Sequence, residues 1–232
     1  MKKLLILLAA VVMTANMMAQ ESNPTKFLGI PIDGSKQEMI RKIQEKGFEY
    51  DRGKDCLTGQ FNGSNVNVFL GINRGKVWRV MVSESTTWSE GEIRIRFNNL
   101  LRQFQKNKKY MALDTEDVSI PDREDISYEM SVHNKRYSAN FLQLPQELDS
   151  AFMYSAIEQS LAQTSEQMGL GLSLDSMDYA TKQSLLEPLL KLACLNAFEN
   201  NQVWFVIHQF YGEYYLSIYY DNANNGANGE DL

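Results

Sequence analysis

The sequence predicts an α+β fold in which helices pack on an antiparallel sheet as a two-layer α/β sandwich. One observation is a capping-box pattern that starts two amphipathic segments, at Ser35 and at Ser89. Another is that, after Gly47, apolar residues recur every second residue and no longer at helical spacing. Within that stretch, Asn62-Gly63 is a strong hairpin signal. Because the change recurs, we predict tandem helix-plus-antiparallel-sheet units. The predicted units are about 27–84, 89–144 and 175–220.

The first twenty residues have the layout of a signal peptide. Lys2 and Lys3 give a positive start, 4–13 are mostly apolar, and Ala19 is a small residue for a peptidase to cut after. The apolar run is shorter than the roughly 20 residues that a spanning helix needs. We therefore expect 1–20 to be removed on export and not to pack into the fold.

The first unit begins with a helix over 35–46. Met39, Ile40 and Ile43 fall on one face, and Gly47 supplies a left-handed stop. Alternating apolar and polar residues then predict an antiparallel meander. Its strands are Phe48–Tyr50, Leu57–Phe61, Val66–Ile72 and Trp78–Val82.

The second unit begins with a helix that ends near Lys106. Its apolar face is Ile93, Phe97, Leu100, Leu101 and Phe104. Strands are predicted at Tyr110–Leu113, Ile126–Val132 and Tyr137–Leu144, and His133–Arg136 is the predicted turn between the last two.

The third unit follows an irregular, weakly helical excursion over 145–173. A helix is predicted over 175–200, and Pro188 should kink or divide it because proline removes a backbone donor. Two strands follow, at Val203–Phe210 and Tyr214–Tyr220. The Asn/Gly-rich residues 221–232 are predicted to be a flexible tail, which leaves 21–220 as a single domain.

Composition limits the function classes. The hydrophobic fraction of 44% is typical of a chain with a core, and the formal charge is −6. Removing Lys2 and Lys3 makes the mature chain more acidic, which argues against a nucleic-acid partner. No second apolar run has spanning length, so the mature protein is expected to be soluble.

The cysteines carry two further expectations. No cysteine follows the cleavage site, so the protein is predicted not to be lipid-anchored. Cys56 and Cys194 remain in the mature chain. They either pair in an oxidising compartment or stay as two separate buried thiols, and the thiols are favoured.

Three phrases of the chain resemble exported proteins of unknown function from gut-dwelling Gram-negative bacteria. The phrases are Phe27–Ser35, Ile95–Leu100 and Tyr211–Tyr215 with the closing Asn228–Leu232. The opening Leu28–Gly34 is also similar to the start of modules with folds like the beta-lactamase-inhibitor protein. Those modules combine helices with antiparallel sheet and commonly bind other proteins. The resemblance implies a periplasmic or extracellular protein with an envelope or extracellular protein as partner.

No set of catalytic or metal-binding residues has a recognisable spacing. His133 falls in a predicted turn and His208 in a predicted strand, without a second ligand at zinc spacing. A turn at Gly212-Glu213 would place His208 opposite Ser217, yet no acid is positioned to orient that pair. No nucleophile elbow or phosphate loop is present. We therefore predict no enzyme activity, no cofactor and no metal.

Aromatic residues crowd into the last two strands. In a two-residue hairpin, Trp204, Tyr215 and Tyr219 share one face, and Phe205, Ile218 and Tyr220 share the other. Aromatic side chains dominate interface hot spots, so the hairpin is the predicted binding surface. Its predicted binding residues are Trp204, Tyr211, Tyr214, Tyr215 and Tyr219. Tyr211, Gly212 and Tyr214 are expected at the exposed tip.

Two functions are consistent with these features of the sequence. The leading one is an exported, non-enzymatic binding or protein-interaction module of the bacterial cell envelope. The alternative is an envelope hydrolase whose site is assembled from residues distant in sequence.

Overall fold

The computed structural model describes residues 9–16, 24–145, 150–167, 169 and 177–227. The chain forms two compact units. Among the described residues, the sheet unit comprises 24–143 and 200–227, and the helical unit comprises 9–16, 144–145, 150–167, 169 and 177–199. The sequence predicts a single domain over 21–220, whereas the described residues within 144–199 fall in the helical unit together with residues 9–16.

Elements are numbered in chain order. The described helices are α1 (9–16), α2 (Lys36–Gln44), α3 (Glu90–Lys106), α4 (Ile126–Val132), α5 (Ser150–Gln167) and α6 (Tyr179–Phe198). The described strands are β1 (Lys26–Phe27), β2 (Ile30–Pro31), β3 (Glu49–Asp51), β4 (Cys56–Phe61), β5 (Ser64–Asn73), β6 (Lys76–Glu84), β7 (Tyr110–Ala112), β8 (Ser138–Gln143), β9 (Asn201–Phe210) and β10 (Glu213–Asn222).

Eight of these strands form one antiparallel sheet in the order β3-β4-β5-β6-β10-β9-β8-β7, and β1 pairs with β2. Buried side chains of α2 and α3 pack on one side of the large sheet, which we call the helix face. The other side is called the second face. The predicted α+β class with an antiparallel sheet is confirmed.

The predicted helix starts have physical caps. Ser35 Oγ accepts the N–H of Glu38 at 3.3 Å. At α3 the capping box is complete, because Ser89 Oγ accepts the N–H of Glu92 and a Glu92 carboxylate oxygen accepts the N–H of Ser89. Gly47 follows α2 with φ +92°, the left-handed conformation predicted for it.

Three hairpin turns of the sheet share positive φ at both turn residues: Asn62-Gly63, Arg74-Gly75 and Tyr211-Gly212. This is the type I′ geometry. The sequence predicts the last turn one residue later, at Gly212-Glu213, and that prediction is wrong. Gly212 has φ +81° beside Tyr211 at φ +49°, and Phe210 pairs with Glu213. Each residue of β10 is therefore opposed to a β9 residue two positions away from the predicted partner. Because side chains alternate with a period of two, each one keeps its predicted face of the sheet.

The predicted strand Ile126–Val132 is instead α4. The sequence reads as β-prone, but Asp125 caps a helix by accepting the N–H of Tyr128 at 2.8 Å. Ile126 is buried while Tyr128 and Val132 are exposed, a one-sided pattern typical of a surface helix. Residues 133–136 therefore join a helix, not a strand, to β8.

Helix α6 runs through Pro188 without interruption, so the predicted division there is wrong. Asp178 caps the helix by accepting the N–H of Thr181 at 3.0 Å. Leu186 before the proline, and Leu190 and Ala193 after it, are buried. Packing on both sides offsets the hydrogen bond that proline removes. The excursion predicted at 145–173 contains a regular helix, α5.

The described part of the signal-like segment, 9–16, is helical and packs in the helical unit. Ala10 is buried in a cluster with Ile157, Leu161 and Leu186. The prediction that this segment stays unpacked is therefore wrong for α1, since Ala10, Val11 and Ala15 are buried, while Val12 and Met13 are exposed. The predicted cleavage site lies outside the described residues. None of the described helices is long and apolar enough to cross a membrane.

The core of the sheet unit lies between α3 and the helix face. Phe97 and Phe104 of α3 have ring centroids 5.1 and 5.5 Å from that of Phe205 in β9. The sequence favours the helix before β9 as the cover of this hairpin, but α6 belongs to the helical unit. Helix α3 instead covers β9 and packs against Phe141 of β8 through Phe104.

The strand β10 continues to Asn222, so the tail predicted to begin at 221 begins later. Residues Ala223–Asn225 form a 3-10 turn. Asn225 Nδ2 donates to the carbonyl of Val77 at 3.0 Å and to Asp33 at 2.9 Å, which fixes this turn against the sheet unit. The closing residues 228–232 lie outside the described residues.

Both cysteines are buried free thiols. Burial raises the pKa of Cys194 to about 11, and burial is also the main cause of the raised pKa of Cys56. Cys56 lies in the sheet unit and Cys194 in the helical unit. The favoured prediction of two separate thiols agrees with this structure.

Candidate functional site

The tip of the β9–β10 hairpin presents two large aromatic side chains. Phe210 is 56% exposed and Tyr211 is 93% exposed, and their ring centroids lie 4.6 Å apart in an edge-to-face arrangement. Tyr211 also has φ +49°. A left-handed conformation costs an ordinary L-residue roughly 1–2 kcal/mol, which is why Asn or Gly usually occupies this turn position. An exposed tyrosine there gains no burial that offsets the strain.

Tyr214 is not at the exposed tip, and that prediction is wrong. It is 2% exposed and belongs to the core under the helix face. Its backbone exchanges two hydrogen bonds with Trp88, at 2.7 and 2.9 Å. Tyr214 is buried because side chains alternate along a strand, which places it on the same side of β10 as the buried Leu216. Replacing Tyr214 would therefore disturb the core.

The other predicted binding residues form a row on the second face. Trp204 and Tyr219 are directly opposed, and their rings stack at 4.0 Å with an interplanar angle of 7°. Tyr215 is opposed to His208, and those rings stack at 5.1 Å. His208 Nε2 also lies 3.2 Å from the hydroxyl of Tyr219, so hydrogen bonding links the two stacks. Trp204 and Tyr215 are half-buried, whereas Tyr219 is only 9% exposed.

An ion pair fixes one end of this row. Arg79 donates Nε–H and Nη2–H to the two carboxylate oxygens of Asp221, at 2.6 and 2.7 Å. Trp204 donates its indole N–H to the same carboxylate at 3.0 Å. The Arg79 guanidinium lies 4.2 Å from the ring centroid of Trp78 and 5.1 Å from that of Tyr219. Such cation–π contacts add to the charge-assisted hydrogen bonds, so the position of Trp204 is strongly constrained.

A second arginine approaches the same indole. The guanidinium of Arg136 lies 5.1 Å from the ring centroid of Trp204. Burial, followed by the charge of Arg136, lowers the pKa of His208 below its ordinary value. His208 is therefore neutral at pH 7, and the positive charge near this row comes from the two arginines.

The pairing of His208 with Ser217 that a turn at Gly212-Glu213 would give is not formed. Ser217 is opposed to Val206, is 1% exposed, and donates its hydroxyl to Ser83 Oγ at 3.2 Å. His133 follows α4, where its Nδ1 lies 2.9 Å from a carboxylate oxygen of Glu129. In the described part of the chain, no three His, Cys, Asp or Glu side chains cluster as metal ligands would.

Sequence reasoning missed the charged part of this surface. Arg79 and Asp221 lie 142 residues apart, and only the pairing of β6 with β10 brings them together. One local signal existed, since Arg79 interrupts an apolar run in β6 with a residue that needs a partner when half-buried. That signal indicates that Arg79 needs an acidic partner, but it does not indicate which acidic residue is the partner.

Comparisons with protein-family models, with curated proteins and with solved structures found no match to this chain. The resemblance to exported proteins of gut bacteria and to inhibitor-like modules therefore stays a prediction.

Proposed function

We propose that this protein is an exported, non-enzymatic binding module of the bacterial cell envelope that contacts another protein through its β9–β10 hairpin. The hairpin surface is defined as Phe210 and Tyr211 at the tip with Trp204, Tyr215 and Tyr219 on the stem. One observation carries the proposal: Phe210 and Tyr211 form a pair of packed aromatic rings at the tip that are 56% and 93% exposed, in a turn where Asn or Gly would be less strained than Tyr211.

The chemistry of the tip suits a protein partner. Tyrosine brings a large apolar ring with a polar hydroxyl, and such residues act as anchors near the centre of interfaces. Phe210 packs edge-to-face on Tyr211, so the two rings form one continuous patch. A partner with a small apolar pocket would bury both rings together.

The stem supports the tip by holding it rigid. Stacking of Trp204 on Tyr219, and of His208 on Tyr215, cross-links β9 to β10 on the second face. The paired carboxylate of Asp221 then orients Trp204. Preorganisation of this kind reduces the ordering entropy that binding would otherwise lose.

The hydrolase alternative is not favoured by any particular arrangement among the described residues. The histidine and serine that the sequence suggested as a pair lie opposite other residues. Export to the envelope is part of the proposal and rests on the signal-like start of the chain. Mass spectrometry of the exported protein should find a first residue at Gln20 or Glu21, and an intact Met1 would reject cleavage.

Site-specific photo-crosslinking tests the binding surface. A benzophenone amino acid at position 211 should give a discrete, high-mass crosslinked product in cells that produce the protein. Arg74 is the matched control, because it has φ +47° at the same position of another exposed hairpin turn. Equal products from both positions, or none from position 211, would reject the tip as a specific contact.

A further inference from the structure

We infer that a cleft between α3 and the helix face of the sheet binds a small uncharged amphiphile, an apolar molecule with one hydrogen-bonding group. This site lies apart from the hairpin tip and goes beyond the proposed protein contact. Its floor is apolar and consists of Val66, Val82, Leu216 and Ile218. Its volume is about 160 Å³.

A second compartment of about 230 Å³ adjoins this cleft and is lined by Phe104, Tyr110 and Tyr220. Asn62 and Gln103 line both compartments. Asn62 Nδ2 donates to Gln103 Oε1 at 2.8 Å, which ties the tip of the β4–β5 hairpin to α3. This bond, here called the strap, lies with Phe61 and Leu100 in the wall that the two compartments share.

The volume of the first compartment sets the size of the ligand that it can hold. A dry apolar cavity of about 150 Å³ in another protein takes up benzene. The first compartment therefore has room for one ring of that size. The second compartment is lined by aromatic side chains and would accept a further ring once the strap opens.

The charged side chains that line the cleft favour an uncharged ligand, because they are paired with each other. Glu84 and Arg96 at the wall form an ion pair, and Arg96 Nε donates to Glu84 Oε1 at 3.0 Å. The other oxygen of Glu84 accepts the indole N–H of Trp88 at 3.0 Å and the backbone N–H of Leu216 at 3.2 Å.

Arg96 also donates to Ser64 Oγ at 2.6 Å and lies 4.1 Å from the ring centroid of Trp88. The charges in the wall are thus paired with each other. An ionised ligand would lose hydration without gaining a free counter-charge. The amides of Asn62 and Gln103 instead offer hydrogen bonds to a hydroxyl or N–H group.

The first experiment titrates the full chain with indole while recording methyl NMR spectra. Methyl signals of Val66, Val82 and Leu216 should shift saturably, and those of Leu57 and Val80, which do not line the cleft, should stay in place. Indole-3-acetate, which adds a carboxylate, should bind at least ten-fold more weakly. Absence of shifts up to the solubility limit, or equal binding of the anion, would overturn the proposal.

The second experiment tests the strap with the Asn62→Gly protein. Glycine accepts the positive φ of this turn, so the variant removes the side-chain bond while keeping the hairpin. The two-ring probe 4-phenylphenol should bind it at least three-fold more tightly than the parent, and the aromatic signals of Phe104 and Tyr110 should shift. Arg74→Gly, the matched change in the next hairpin, should leave the affinity unchanged. Equal affinity of the parent and Asn62→Gly would overturn the two-compartment cleft.

Binding of indole also separates this site from the hairpin tip. The Tyr211→Asn protein should bind indole with the affinity of the parent, whatever happens to its protein contact. A loss of indole binding in that variant would contradict the placement of the ligand under α3.

Discussion

Two groups of the same chemistry lie on opposite faces of the sheet. The helix-side group is Glu84, Arg96 and Trp88, and the second-face group is Asp221, Arg79 and Trp204. In each, a carboxylate of 8–10% side-chain exposure pairs with an arginine of 28% exposure. In each, the tryptophan donates its indole N–H to that carboxylate at 3.0 Å.

The difference lies in what each group joins. Glu84 of β6 holds Arg96 of α3 and the backbone N–H of Leu216 in β10, so it fastens a helix to the sheet and completes a strand ladder. Asp221 instead holds two side chains from neighbouring strands of one face, and its tryptophan continues into a stacked aromatic row. The same three residue types thus stabilise the fold on one face and order a surface on the other.

Glu84→Ala is expected to cause the largest loss of stability. The change leaves Arg96 without its counter-charge and Leu216 N–H without an acceptor, which should lower the free energy of unfolding by about 3 kcal/mol. Urea denaturation followed by circular dichroism measures this loss. Glu45→Ala, which breaks the exposed pair with Arg41, is the control and should change stability by less than about 0.5 kcal/mol. Equal losses in both variants would show that the helix-side group does not fasten α3.

Asp221→Asn should have a smaller effect on stability and a larger effect on the surface. The amide still accepts from Trp204 but leaves Arg79 without a counter-charge, so we expect a loss of about 2 kcal/mol. The near-ultraviolet circular dichroism of the Trp204–Tyr219 stack should weaken as well. A full-strength aromatic signal in the variant would mean that Asp221 does not order the row.

Tyr211→Asn should raise the free energy of unfolding slightly, by about 0.5 kcal/mol, because asparagine adopts the left-handed turn with less strain. Thermal melting of the parent and the variant measures the difference. Arg74→Asn is the matched control, since that position has φ +47° and should respond in the same direction. A clear loss of stability in Tyr211→Asn would show that the tyrosine serves the fold.

The smallest expected effect is a pH dependence that arises from His208. Its pKa is lowered from 6.5 in the folded protein by burial and by Arg136. At a pH between the pKa of His208 in the folded protein and its pKa in the unfolded chain, the unfolded chain binds more protons than the folded protein does. Stability from this group is therefore complete above pH 6.5 and is lost as the pH falls towards the folded pKa.

His208→Gln should reduce the difference in melting temperature between pH 7.5 and pH 5.5. An unchanged pH dependence in His208→Gln would place the titrating group elsewhere.

Local sequence signals predicted much of the sheet unit. The capping residues Ser35 and Ser89, the stop at Gly47 and the turn at Asn62-Gly63 act over a few residues, and the structure contains each of them. The misassigned α4 shows the limit of such signals. Its residues favour a strand, and a single side-chain cap at Asp125 together with burial of Ile126 decides for a helix.

The sequence predicted the aromatic residues of the candidate site but not its charged residues. Alternation assigned Trp204, Tyr215 and Tyr219 to one face, and it would also have placed Tyr214 on the buried side with Leu216. Arg79 and Asp221 meet only through the pairing of β6 with β10, which depends on the whole topology. Local periodicity carries no information on that pairing.

Under the proposed function, Tyr211 serves binding and not folding. A photo-crosslinker placed at position 210, in the parent and in Tyr211→Asn, tests this by the yield of crosslinked product at equal protein levels. We expect at least a ten-fold lower yield in Tyr211→Asn, with a melting temperature equal to or above that of the parent. An undiminished yield from the variant would show that Tyr211 does not hold the partner.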